Sequence, residues 1–245
     1  MKPPVFLFDI LRHDEEMKPT VFLFDIDGTL VDTGGAGRRA MVSAFSTLYG
    51  HPNPFEGLNF GGMTDKAIAR HGIVTSGATV TDAEIDRALD AYVTRLDHEV
   101  ASTDRYRVLP GVHDVIAWLV SFERAPFALG LGTGNVKRGA MTKLERGGLH
   151  VHFSFGGFGC DAEDRGELLG HGAKRGAERL GVPLETCRVV VIGDTPRDVA
   201  AAYAIGAECL GVATGGVSVE GLREAKAHHV VDTLEHSTTR SFLVS

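Results

Sequence analysis

Thr20-Val-Phe-Leu-Phe-Asp-Ile-Asp-Gly-Thr29 is the stretch on which the fold turns. Val21 to Phe24 form a short apolar run that reads as a buried strand of a parallel sheet. The strand delivers two carboxylates, Asp25 and Asp27, to its carboxyl end, and residues two apart on a continuing strand point to one face. Gly28 lets the backbone turn, and Thr29 supplies a hydroxyl. Open α/β sheets hold ligands at the carboxyl ends of their strands, so chemistry is expected here. An ordinary strand ending in an Asp-Gly turn has the same local sequence; the segments around it separate the two readings.

Upstream, Met1–Ile10 nearly repeats Met17–Ile26, differing only at Pro4 against Thr20. The first copy has Leu11 where the second has Asp27, and Arg12 where it has Gly28, so it cannot build the same site. Residues 1–16 therefore read as a non-functional extension with Met17 the natural first residue, and a chain beginning at Met17 is expected to keep full activity. In the competing reading, Val5–Phe8 contends for the central strand position or adds to an exposed sheet edge, an aggregation hazard. Loss of activity on that truncation would favour the second reading.

Downstream of Asp27 the pattern turns helical. Ala40, Met41, Ala44, Phe45 and Leu48 recur at helical spacing, and Gly50 is a suitable stop. His51 to Gly77 is rich in Gly and Pro and reads as loops around a short helix near Asp65–His71. Thr81 and Glu84 form a capping box for a helix whose apolar face is Ile85, Ala88, Leu89, Tyr92, Val93 and Leu96. About 75 residues thus separate the first strand from the next α/β unit, whereas a parallel crossover needs only a dozen or more. Residues 32–105 are read as an inserted helical domain, and residues 17–31 and 106–245 as the core.

From Pro110 the alternation is regular: a helix at His113–Val120, a strand at Phe127–Leu131, a helix near Val136–Arg146 and a weaker strand around Val151–Phe155. A helix at Glu167–Leu180 stops at Gly181, and a strong strand follows at Arg188–Ile192. A helix at Pro196–Ile205 stops at Gly206, before a strand at Glu208–Val212. Alternating strands and helices predict an α/β fold with a doubly wound, Rossmann-like parallel sheet. The polar tail after Glu235 is expected to fray.

Composition agrees with this class. A chain of 245 residues and 26.2 kDa, 43% hydrophobic, holds one large α/β domain or a core plus a small insert. The net charge of −7 argues against nucleic acid or an anionic membrane as partner. It also requires local cations or a metal wherever an anionic substrate is to meet the carboxylates. No apolar run is long enough to cross a membrane. Cys160, Cys187 and Cys209 lack paired spacing and point to ordinary thiols in a reducing cytoplasm. Monomer and homodimer are equally open.

Two further strand ends carry polar groups. Gly130-Leu-Gly-Thr-Gly-Asn135 places Thr133, Gly134, Asn135 and backbone N–H groups at a helix start, an arrangement suited to an anionic oxygen. A dinucleotide reading is weak because no third glycine completes the Gly-x-Gly-x-x-Gly pattern. Ile192-Gly-Asp-Thr-Pro-Arg-Asp198 projects Asp194 from a strand tip, with Thr195 as helix cap, Pro196 in the first turn and Asp198 one turn along.

Taken in order, Asp25-Ile-Asp-Gly-Thr29, the Thr133 turn and Gly193-Asp-Thr-Pro-Arg-Asp198 resemble the haloacid dehalogenase superfamily. The likeness runs from residue 17 to about 235 and is greatest to phosphoglycolate-phosphatase-like members; the helical insert matches that superfamily's cap. The resemblance implies that Asp25 is a nucleophile forming an aspartyl-phosphate, and that Asp27 protonates the leaving oxygen and then activates water. It implies that Asp25, the backbone carbonyl of Asp27, and Asp194 hold Mg²⁺, with Asp198 in support, and that Gly28, Thr29, Thr133, Gly134 and Asn135 surround the phosphoryl group. Magnesium prefers oxygen ligands, which these carboxylates supply. The loop Gly61-Gly-Met-Thr-Asp65, with Lys66, resembles one that contributes specificity, and Thr64 and Lys66 are its candidate substrate contacts.

One part departs from the family pattern. A Lys-Pro pair expected before the fourth strand is absent; Cys160-Asp-Ala-Glu-Asp-Arg-Gly-Glu167 offers Arg165 as the cation, with Lys174 and Arg175 as rivals. The reading reached is a Mg²⁺-dependent phosphatase acting on a small phosphorylated metabolite. Its alternatives are a dehalogenase or phosphomutase of the same fold, a phosphonate hydrolase using Lys66, and a catalytically silent binding module.

Overall fold

A computed structural model describes residues 17–122 and 126–245; the near-repeat at residues 1–16 lies outside them. In chain order, β1 (Thr20–Phe24) and β2 (Val31–Asp32) precede α1 (Ala36–Tyr49), α2 (Asp65–Thr75), α3 (Asp82–Ser102) and β3 (Arg107–Val108). Then come α4 (Val112–Val120), β4 (Phe127–Thr133), α5 (Lys137–Glu145), β5 (Gly156–Phe158) and α6 (Arg165–Leu180). The chain ends through β6 (Arg188–Gly193), α7 (Pro196–Ala204), β7 (Glu208–Val212), α8 (Val219–Glu224), β8 (His229–Val231) and α9 (Thr239–Val244).

The main sheet is parallel, in the order β5-β4-β1-β6-β7-β8. Every residue of β1 is buried, which accounts for its unbroken apolar run: a strand covered on both faces has no polar side. Phe22 and Phe24 face one cluster with Val115 and Ile116 of α4 and Leu144 of α5. Val21 and Leu23 face the other, with Leu168 and Leu169 of α6 and Val199 of α7. The two-residue period of the strand thus feeds two layers of helices.

Between β2 and β3 lie α1, α2 and α3, which build a cluster of their own from Phe45, Phe55, Ile73, Leu89 and Leu96. β2 and β3 pair antiparallel, Val31 with Val108 and Asp32 with Arg107, so the chain leaves and rejoins the core at adjacent points. Among the described residues no helix is long and apolar enough to cross a membrane.

Two expectations need correction. The strand expected at Val151–Phe155 is a 3₁₀ turn at His150–His152, and Val151 is 69% exposed; the strand is β5, over Gly156, Gly157 and Phe158. The glycines suit tight packing: a Cβ on Gly157 would fall 1.8 Å from the carbonyl oxygen of Leu168, so α6 presses directly on the sheet. The tail after Glu235 does not fray. It forms α9, with Leu243 fully buried, and Arg188 donates to the carbonyls of Leu243 (2.8 Å) and Phe242 (3.0 Å).

Candidate active site

Three parallel strands end side by side, and each ends in acid or hydroxyl. β1 runs into Asp25, β6 into Asp194, and β4 finishes on Thr133. Asp198, in the first turn of α7, completes a buried group in which Asp25, Asp194 and Asp198 offer carboxylate oxygens all within 4.8 Å of one another. Thr195 and Asp198 form a reciprocal capping box, with the Thr195 amide donating to Asp198 Oδ2 at 3.0 Å, so the carboxylate is locked by the helix start itself. Gly28 adopts a left-handed φ of 82°, and a Cβ there would lie 2.4 Å from Asp194 Oδ2; only glycine lets this turn lie against that carboxylate.

Arg165 is the cation that meets this group. It is the first residue of α6, only 9% exposed, and its guanidinium reaches Asp25 Oδ2 at 3.0 Å while two of its nitrogens donate to Asp198 Oδ1 at 2.9 and 2.5 Å. The rivals lie elsewhere: Arg175 pairs with Asp161 at 2.7 Å, and Lys174 is exposed. With all three carboxylates ionised, as a bound cation would require, one guanidinium leaves an excess of two negative charges in a buried place. Burial raises the Asp25 carboxyl, opposed by Arg165, and pushes Asp194 up to about 8, with the neighbouring Asp25 and Asp198 adding to the effect. An all-oxygen donor set with two uncompensated charges fits a hard divalent cation such as Mg²⁺.

Beside this group a second network surrounds Thr133 and Asp27. Asn135 Nδ2 donates to Thr133 Oγ1 (2.8 Å) and to Asp27 Oδ2 (2.8 Å), and its Oδ1 accepts from Lys143 Nζ (2.6 Å). Thr133 Oγ1 accepts from Asn135, which frees its own proton for another acceptor. Asp27 points to Asn135 and Lys143 rather than into the Asp25–Asp194–Asp198 group. A cavity of about 510 Å³ opens over both networks, floored by Asp25, Asp27, Thr133 and Asp194 and walled by Arg38, Met41, Phe60, Ile68 and Tyr92 from the helical unit.

A family model for haloacid dehalogenase-like hydrolases matches residues 19–206. The chain belongs to that family. Solved structures of the same fold include a predicted phosphoglycolate phosphatase from Haemophilus somnus, with a TM-score of 0.65 at 15% identity over 94% of this chain and 100% of that one. A predicted phosphatase from Clostridium acetobutylicum gives 0.64 at 18% identity over 93% and 99%. A putative beta-phosphoglucomutase from Thermotoga maritima gives 0.57 at 22% identity over 91% and 97%. A search of curated proteins gave no match.

In this haloacid dehalogenase-like hydrolase the loop before α2 reaches the core, though through different residues from those expected. Gly61, Gly62, Met63 and Asp65 line the cavity. Thr64 caps α2, accepting from the Ala67 amide at 3.2 Å, and Lys66 donates to the carbonyl of Cys160 at 3.2 Å; the cavity wall includes neither. Gly28, Gly134 and Asn135 do line it, and Thr29 is buried beneath, 3.4 Å from Asp194 Oδ1. Lys143 is the participant that motif reading missed. Its signal was a charged residue on the buried stripe of a helix, among Gly139, Ala140 and Leu144.

Proposed function

We propose that this hydrolase is a Mg²⁺-dependent phosphatase of small phosphorylated metabolites, a phosphoglycolate-like compound or a sugar phosphate monoester, acting through an aspartyl-phosphate. The observation that carries the reading is the contact of Arg165 with Asp25 inside a buried acidic group at the floor of the cavity. An anion beside so many carboxylates needs countercharge. Arg165 supplies one part, and Mg²⁺ held by Asp25, Asp194, Asp198 and the Asp27 carbonyl would supply the rest, neutralising charge on the transferring group.

A carboxylate oxygen of Asp25 attacks phosphorus, and the bond from phosphorus to the ester oxygen breaks. Asp27 gives its proton to that oxygen, then takes one from the water that attacks the aspartyl-phosphate, releasing phosphate and restoring Asp25. The Thr133 hydroxyl and the Asn135 turn hold the phosphoryl oxygens, since phosphoryl transfer depends mainly on positioning and charge stabilisation. The helical unit acts as a cap: Met41, Phe60, Ile68 and Tyr92 exclude water and meet the rest of the substrate. A dehalogenase has less use for the second aspartate, Asp27, or for a divalent-ion site.

Release of phosphate from a panel of phosphorylated metabolites, with Mg²⁺ and with a chelator, tests the reading. Turnover is expected only with the metal, and Asp25→Asn should lower it by at least about a thousandfold, as removal of a covalent nucleophile does. Phosphate release unaffected by Asp25→Asn would refute the covalent route, and halide release without metal would favour the dehalogenase.

A further inference from the structure

Lys143 has no place in the motifs, yet it is 4% exposed and its ammonium faces the cavity floor. A buried ammonium is unfavourable unless paired and hydrogen-bonded. Its partners are Asp27 Oδ2 at 2.6 Å and Asn135 Oδ1 at 2.6 Å, and its own backbone carbonyl accepts from Tyr106 Oη at 2.9 Å, which fixes the end of α5. Two charged or titratable groups of the helical unit, Asp65 and Tyr92, share this surrounding: burial raises the Asp65 carboxyl and the Lys143 charge opposes it, and a Cβ on Gly37 would touch both Lys143 Nζ (3.4 Å) and Tyr92 Oη (3.7 Å).

The two oxygens of Asp27 are unequal as a result. Oδ2 accepts from both Lys143 and Asn135, whereas among the described residues no hydrogen bond reaches Oδ1. The Asp27 side chain is 45% exposed while that of Lys143 is 5% exposed, so the carboxylate is gripped from below and open above. We propose that Lys143 is a positioning residue for proton transfer: with Asn135 it clamps Asp27 by Oδ2, leaving Oδ1 to carry the proton that passes to the leaving oxygen and to take one back from the attacking water. Among the described residues the Lys143 ammonium pairs with Asp27 and Asn135 and with none of Asp25, Asp194 and Asp198; it acts through Asp27.

The inference rests on the phosphatase reading, and the two fail in different ways. The experiment compares kcat/KM in Mg²⁺ for phenyl phosphate, whose phenolate leaves poorly without a proton, and dinitrophenyl phosphate, whose anion leaves unaided. General acid catalysis contributes about 10²–10⁴-fold, so Lys143→Met and Lys143→Gln should each lose about 30-fold or more on phenyl phosphate. On dinitrophenyl phosphate they should lose less than about threefold. A partly folded variant scales both values alike, so the ratio reports positioning even where yield is low. Equal losses on the two esters, or no loss on either, would overturn the role of Lys143. Wild-type protein that cleaves neither ester would instead remove the phosphatase reading beneath it.

Discussion

Asp65, the first residue of α2, is buried, and its Oδ2 accepts from the Val136 amide at 2.8 Å. Burial pushes its carboxyl up to about 6, partly offset by the Lys143 charge. A folded pKa above the unfolded one means that the native state binds the extra proton between about pH 4 and 6, so this residue's contribution to stability is present below that window and lost as pH rises through it. Asp65→Asn removes the titration. Urea midpoints of the metal-free protein should therefore decline less steeply from about pH 4 to 6 in Asp65→Asn than in wild type; matching slopes would place the proton elsewhere. Residues of this kind show how far sequence reaches. Asp25, Asp194 and Thr133 stand at strand ends and Asp198 one helical turn beyond, where the strand and cap patterns point to them and the family resemblance supplies their roles. Asp65, at the start of α2, meets the Val136 amide just ahead of α5, and Lys143, on α5, meets Asp27 just after β1, contacts between residues far apart in the chain that no local pattern encodes.

The turn after β4 and the loop before α2 touch backbone to backbone. The Asp65 amide donates to the Gly134 carbonyl at 2.8 Å, and a Cβ on Gly134 would sit 2.4 Å from the Met63 carbonyl oxygen and 2.9 Å from Thr64 Cα. Neither neighbour is a flexible side-chain end, so Gly134→Ala must push the loop away. A loss of about 1–3 kcal/mol in urea unfolding is expected from such overpacking, with a drop in turnover as the cavity wall shifts. A fully stable, fully active Gly134→Ala protein would show that the loop does not seat there. The regular elements were legible because their periods are strong: β1, β4, β6 and β7 and the helices α1, α5 and α7 stand close to the expected ranges, whereas α8 and β8 are too short to show a period. β5 was misplaced because two of its three residues are glycine, which weakens any strand signal, while Val151 and the residues after it mimic one in an exposed turn.

For the whole molecule, folding gathers like charge that water would keep apart. Stability should then rise on binding a divalent ion, by about 2.7 kcal/mol at a hundredfold excess over its dissociation constant. Thermal unfolding with and without Mg²⁺ measures this. The rise should vanish in Asp194→Asn, and the metal-free variant should melt above wild type at about pH 8, because the costly ionisation of Asp194 is gone. A wild-type melting temperature indifferent to Mg²⁺ would argue against the site. The termini of the fold follow a different logic. The C-terminal segment looked too polar to pack, yet Arg188 at the start of β6 captures its last carbonyls and Leu243 enters the core, an anchor that the composition of the tail conceals.

Arginine, not lysine, stands next to Asp25, and the choice sets what can silence the pocket. A guanidinium stays protonated at every pH a folded protein meets. Amine-directed acylation, chemical or enzymatic, passes it by. Alkaline inactivation or inhibition by lysine modification, if found, would point away from the group beside Asp25 and toward Lys143.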